Sequence, residues 1–250
     1  MSPPAHRVDG GRTARGQSSV VGVALLLGAT VLALGVLTAS VGTLVSDHAA
    51  RADADRVAAD MDDALRPVET TGHRTGEIRF AEGSLETVER DLHVLKNGTH
   101  ERTVPVGGLV FARGDRRVRS VAGSVVRGRE GNAWPIDGPP VVGSENTEVL
   151  VVGAAALNAS GGAVGGDRVR AELATNVSHE RTYLGRGTYA VAVETRVPRA
   201  IATAFREQGA TNVDRRDVDG DGLPSVVATF PGVRRGYLVV HDMRLEVRDG

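Results

Sequence analysis

Three aspartates at alternate positions, Asp217, Asp219 and Asp221, followed at once by Gly222, are the residues of this chain best spaced for chemistry. Carboxylates two apart can converge on one hard cation, and a glycine allows the tight turn that this needs. The run Asp217-Val218-Asp219-Gly220-Asp221-Gly222 fits the first six positions of a twelve-residue calcium loop. The twelfth position, where a bidentate acid is required, holds Ala228. Calcium is therefore the one cofactor the sequence suggests, held weakly and with help from an acid elsewhere such as Asp214. The competing reading is a polar Asp/Gly turn between two strands.

Other chemistries find less support. Cysteine is absent, which removes disulfides, thiolate metal sites and a cysteine nucleophile. The seven histidines (His6, His48, His73, His93, His100, His179 and His241) show neither H-x-x-x-H nor H-E-x-x-H spacing, and each reads as a surface or sheet residue. There is no G-x-S-x-G elbow. The glycines after Glu148–Gly153 (Gly161, Gly162, Gly165, Gly166) fit no phosphate-binding pattern. A non-catalytic protein is expected. Acids and bases nearly balance, at 31 and 30, and no basic stripe forms, so nucleic acid is not an expected partner. Asn97, Asn158 and Asn176 each open an N-x-S/T sequon and are candidate glycan sites.

The elements that would carry these residues fall into two textures. Val20–Val45 is a run of 26 residues without a formal charge, and roughly 20 suffice to cross a bilayer as a helix. Within it Ala24 and Gly28, Gly35 and Ala39, and Thr38 and Gly42 are small pairs four apart, a spacing that lets helices approach closely. From Ala50 the pattern turns amphipathic: Ala50, Ala54, Val57, Met61, Ala64 and Leu65 recur at three- and four-residue spacing. Pro67 should end the helix, giving about 50 residues and roughly 75 Å from Gln17. Arg7, Arg12 and Arg15 precede the apolar run, whereas residues 47–70 carry seven acids against three arginines. The positive-inside rule then puts the N-terminus in the cytoplasm and the rest outside.

Residues 70–250 are β-rich. The expected strands are Glu77–Phe80, Glu86–Leu95, Thr103–Val106, Arg117–Val126, Glu148–Ala155, Arg168–Asn176, Thr188–Arg196, Ser225–Thr229 and Gly236–Val247. In Arg117–Val126 the alternation assigns Val118, Ser120, Ala122 and Ser124 to one face. One helix, Pro198–Gln208, opens on proline and closes at Gly209. The fold class expected is α+β: a long N-terminal transmembrane or assembly helix (17–67) behind a basic leader (1–16), then a mainly antiparallel, β-sandwich-like extracellular domain (70–250).

Arg15-Gly16-Gln17-Ser18-Ser19-Val20-Val21-Gly22-Val23-Ala24-Leu25-Leu26-Leu27 resembles the class III signal segment of archaeal type IV pilins and archaellins, most closely that of haloarchaeal pilin-like proteins. The resemblance covers residues 12–45. It implies that a prepilin-type peptidase cuts between Gly16 and Gln17, and that the helix, once freed of its leader, packs with other pilin-like subunits. Ser19 stands where the family usually has proline, and Val21 where bacterial pilins carry glutamate. The expected role is a minor pilin-like subunit, lodged in the cell membrane by a single pass or assembled into a surface filament. A single-pass ectodomain that binds a surface ligand without polymerising is the alternative. A secreted protein cut near Thr38-Ala39-Ser40 is a third reading, for which the apolar run is long.

Overall fold

The computed structural model describes residues 17–66, 71–129, 131–144, 148–160 and 162–250. The chain divides into two compact units, the first ending at Ala49 and the second running Ala50–Gly250. Helix α1 spans Gln17–Leu65. Its run in the first unit is apolar all round and exposed, with Leu25, Leu26, Val31, Leu32 and Val36 each more than 65% accessible. Thr30, Thr38 and Ser40 turn their hydroxyls back onto the carbonyls of Leu26, Leu34 and Val36, each at 2.8 Å. Polar side chains closed on their own helix in this way suit a medium that offers no hydrogen bonds. Pro67 lies outside the described residues.

The second unit is α+β, with a large and mostly antiparallel sheet. In chain order its first strands are β1 (Gly72–Val88), β2 (Asp91–Lys96), β3 (Thr99–Pro105), β4 (Gly108–Arg113), β5 (Arg116–Val121), β6 (Ser124–Arg129), β7 (Asn132–Asp137) and β8 (Val141–Ser144). There follow β9 (Val149–Ala156), β10 (Val164–Glu194), helix α2 (Pro198–Glu207), β11 (Asn212–Arg216), β12 (Ser225–Asp242) and β13 (Glu246–Asp249). The strand order is β7-β6-β5-β4-β1-β10-β12-β9-β8, with β2, β3, β11 and β13 joined at its sides. Only the β12–β9 pairing among these strands is parallel.

The long strand β10 organises both halves. Its first stretch pairs with β1 from Val164↔Leu85 to Val177↔Gly72, and with β13. Its second pairs with β12 from Ser178↔Asp242 to Glu194↔Ser225, and with β2 from Tyr189 to Val193. Alternation sends Ala171 and Leu173 into one core, where the amphipathic end of α1 (Ala54, Val57, Ala58, Met61, Leu65) meets Ile78, Phe80 and Phe111. Val191 and Val193 enter a second core with Leu92, Leu150, Phe230 and the buried face of α2. Gly209, at φ +88°, turns the chain off α2 as expected.

Three expected strands prove to be interrupted. Arg117–Val126 is a hairpin, because Ala122 (φ +50°) and Gly123 (φ +80°) form its two-residue turn, and Ser120 and Ser124 are buried beside that turn instead of lining one strand. Glu86–Leu95 is divided between β1 and β2, and Gly236–Val247 between β12 and β13. Strands β4, β7, β8 and β11 are ones that the sequence pattern does not predict; β4 lies between β5 and β1, and β7 and β8 end the sheet.

The helix is keyed to the sheet at one buried carboxylate. Asp53, 4% exposed, accepts a hydrogen bond from the Ala81 N–H at 3.1 Å and ion-pairs with Arg113 and Arg56. Nearby, Gly76 lets α1 come close: a Cβ there would lie 2.5 Å from the Ala64 Cβ. Replacing Asp53 with alanine leaves Arg113 with only its rim partner Glu82 and the Ala81 N–H without an acceptor. Asp53→Ala is expected to cost about 2–3 kcal/mol, read from the denaturant midpoint of the full chain in detergent. A loss under about 0.5 kcal/mol would make the carboxylate an ordinary surface charge.

Where β10 passes from β1 to β12, His179 faces His241 with Nδ1 atoms 2.9 Å apart and rings edge to face. Burial, then the neighbouring His179, holds His241 below its ordinary 6.5. The folded state therefore binds this proton less readily than the unfolded chain. Its stabilising contribution is complete above the ordinary value and is lost as pH falls through it towards the folded value. The melting temperature should fall between about pH 7.5 and pH 5.5 more steeply in the unaltered protein than in His241→Gln. Parallel profiles would show that the pair carries no linkage.

Candidate functional site

Strand register places a polar cluster on the face of the sheet turned away from the second core. In β2, Leu92 and Val94 point into that core, so Asp91, His93 and Leu95 point the other way. In β10, Val191 and Val193 point inward, which leaves Ala192 and Glu194 on the outer face beside His93. In β12 the same alternation puts Ser225 and Val227 there, with Ser225 directly opposite Glu194. Leu95, Ala192 and Val227 form a small apolar patch, and Val218 from the Asp217–Leu223 loop packs against it. That loop covers the polar end of the face. His93 and Glu194 are consequently 1% and 3% exposed, although both carry ionisable side chains.

The side chains converge. Glu194 Oε2 accepts the Asp91 backbone N–H at 2.8 Å, and Oε1 lies 3.5 Å from His93 Nε2. Asp219 Oδ2 reaches to 3.9 Å from the same Nε2. On the other side of the ring, His93 Nδ1 is 3.1 Å from Thr103 Oγ1, which also meets His100 Nε2 at 2.8 Å. One ligand atom each from Asp91, His93, Glu194 and Asp219 lies within 4.8 Å of the other three. Burial pushes Glu194 above the usual carboxylate range, against the opposing pull of the Asp91 N–H and His93. Burial likewise raises Asp91, with Asp219, Asp221 and Glu89 adding to the rise and His93 opposing it. Burial would also raise Asp219, but hydrogen bonds from the loop N–H groups and the nearby His93 outweigh it and hold this acid low. A cleft of about 640 Å³ opens onto Asp91, Glu194 and Asp221, bordered by Arg90, Pro105 and Asn158.

The aspartate loop itself is exposed, and Asp217, Asp219 and Asp221 do come within 4.8 Å of one another. Much of their acceptor capacity is already used by the turn. Asp217 takes the N–H groups of Gly220 and Gly222 at 2.8 and 3.0 Å, and Asp221 takes that of Leu223 at 2.7 Å. Ala228 is fully buried within β12, so the calcium pattern stops where the strand begins. Asp214 lies on β11 and accepts from Asn212 Nδ2. The partners that reach Asp219 come instead from β2 and β10.

Asp91, His93 and Glu194 are the residues that the sequence pattern does not single out. Asp91-Leu92-His93 is a strand with two ligand-type residues on one face, and Glu194 ends the apolar alternation Tyr189–Val193. A search by helical His spacing passes over both signals.

The remaining candidates lie elsewhere. Gly16 is outside the described residues, and Gln17 opens α1. Ala24, Gly28, Gly35, Thr38, Ala39 and Gly42 are exposed and fall within roughly 100° of arc on one helix face. A Cβ added at Gly28, Gly35 or Gly42 would touch nothing within 4 Å. Asn97 is exposed at the β2–β3 turn, with Oδ1 accepting from the Thr188 N–H at 3.0 Å. Asn158 is exposed and donates from Nδ2 to Asp242 at 2.7 Å. Asn176 lies within β10, half-buried and paired with His73. Gly165 and Gly166 belong to β10 and pair with Ser84 and Gly83, a strand position and not a phosphate-binding loop. A smaller pocket near Trp134 gathers several arginines, but Arg127 is ion-paired with Asp55, and Arg116 and Arg129 with Asp115.

α1 is long and apolar enough to cross a membrane, a property shared by anchors and by signal sequences. No curated protein and no solved structure matches the chain. Residues 15–246 match a family of unknown function (DUF7289), so the chain belongs to that family from the foot of its apolar helix to its last strand.

Proposed function

We propose that this protein is a non-catalytic, pilin-like subunit of an archaeal type IV pilus or a related surface assembly, present as a minor component. The observation that carries the reading is the run Val21–Val45, whose large apolar side chains are exposed throughout. A patch of that size needs lipid or other helices around it. One feature favours helices as its final partners. The small residues lie on one face, where close approach gains packing that lipid tails do not drive. The hydroxyls are closed on their own carbonyls, so neither medium leaves them wanting.

Arg15-Gly16-Gln17 supplies the processing step: a cut after Gly16 removes the basic leader and leaves the apolar helix intact. In this reading the N-terminus is cytoplasmic before the cut, the β-domain is outside, and the partners are the peptidase, the membrane and other pilin-like chains. A single-pass anchored ectodomain is the second reading, since the same run spans a bilayer unaided.

N-terminal sequencing of the protein recovered from membranes separates the two. A mature chain beginning at Gln17 is expected, and Gly16→Trp should retain the leader, with a mass higher by that of residues 1–16. A chain still beginning at Met1 or Ser2 establishes the anchored ectodomain. Normal processing of Gly16→Trp would sink the pilin-like assignment.

A further inference from the structure

We propose that Asp91, His93, Glu194 and Asp219 bind one divalent first-row transition ion of the zinc class, beneath the Asp217–Leu223 loop. The first argument is spacing. Ligand atoms about 2.0–2.2 Å from a metal at tetrahedral angles stand roughly 3.4 Å apart. His93 Nε2 is 3.5 Å from Glu194 Oε1 and 3.9 Å from Asp219 Oδ2, and the four ligand atoms stay within 4.8 Å of one another. A direct charge-assisted hydrogen bond would draw the imidazole and carboxylate to about 2.7–2.9 Å. The Nε2–Oε1 separation is longer than that, and the four ligand atoms lie close enough together to share one ion.

The second argument is orientation. With the His93 Nδ1–H donating to Thr103 Oγ1, the lone pair of Nε2 faces the carboxylates. A histidine ligand is commonly fixed by such a hydrogen bond on its far nitrogen. The Asp91 N–H does the same for Glu194 by anchoring Oε2.

The third argument is independent of the acids. Ser225, 1% exposed, lies directly opposite Glu194 on the same face, and its Oγ has no hydrogen-bond partner among the described residues. A buried hydroxyl without a partner is destabilising, so it marks a polar position that the protein leaves to a ligand. Imidazole among the donors selects a borderline ion such as zinc over calcium, which takes oxygen alone. The exposed aspartate loop thereby contributes Asp219 to an interior site and is not itself the site.

Full-length protein in detergent, stripped with EDTA, is titrated with ZnCl₂ by calorimetry, with circular dichroism confirming that each chain is folded. One equivalent should bind, and millimolar CaCl₂ should not displace it. His93→Gln and Asp219→Asn should each weaken Zn²⁺ binding at least about tenfold, while Asp217→Asn stays within about twofold of the unaltered chain. The Asp219 side chain is 35% exposed, so Asp219→Asn decides the matter alone if His93→Gln fails to fold. Absence of saturable Zn²⁺ binding by the folded, unaltered chain overturns the proposal. So does equal affinity in Asp219→Asn, or a loss confined to Asp217→Asn.

Discussion

One strand, β10, has to satisfy two sheets at once, and the rest of the domain depends on that constraint. Its first half is flanked by β1 and β13, its second by β12 and β2. Because side chains alternate with a period of two, a slip of one residue would turn every inward position outward along the whole strand. Ala171 and Leu173 fix the register against one core, and Val191 and Val193 fix it against the other. The neighbours change at Val177–Ser178, and within the pairing to β12 the register shifts at Tyr183–Gly185 and Gly187–Tyr189. Tyr189, fully buried, donates its hydroxyl to the Leu184 and Gly185 carbonyls and so spans the second of these shifts.

The helix meets two different requirements along its length. Before Ala50 it has no charged residue between Val20 and Val45, and its hydroxyls bond within the helix. From Ala54 to Leu65 it is an ordinary amphipathic element whose apolar stripe completes the core over β1, β4 and β5. Asp53 sits at the start of that stripe, and its burial is affordable because a backbone N–H and two guanidinium groups surround it. The strands beneath supply those groups from Ala81 and Arg113, so sheet and helix specify one another's position.

Periodicity made the helices legible: Gln17–Leu65 and Pro198–Glu207 follow their apolar spacing and their terminal signals closely. The strand ends were less so. Ala122 and Gly123 form a hairpin turn without any of the usual Asn-Gly or Asp-Gly signature, and Ala122 adopts φ +50°, a conformation its type seldom takes. Alternation alone ran straight through it. Asn97-Gly98, which does carry the signature, makes the turn between β2 and β3. The polar cluster was illegible for a different reason: Asp91 and Glu194 are 103 residues apart in sequence and meet only through the β2–β10 pairing. Local motifs identified Asp219 and could not identify what it faces.

The outer face of β2, β10 and β12 shows why that cluster differs from an ordinary buried polar group. Within one face the sheet uses two solutions for adjacent positions. Leu95, Ala192 and Val227 are covered by Val218 and need nothing further. One residue pair along, His93, Glu194 and Ser225 take the place of apolar side chains under the same loop. Apolar residues of similar volume would cap the strands as well, and commonly better, because desolvated charges recover little of their hydration inside a protein. Covering the sheet edge therefore does not account for the polar set. Among the described residues that line the cleft, Arg90 is the one cationic side chain, set against Glu89, Asp91, Glu194 and Asp221. On the proposal above, a bound cation is the group that balances these acids.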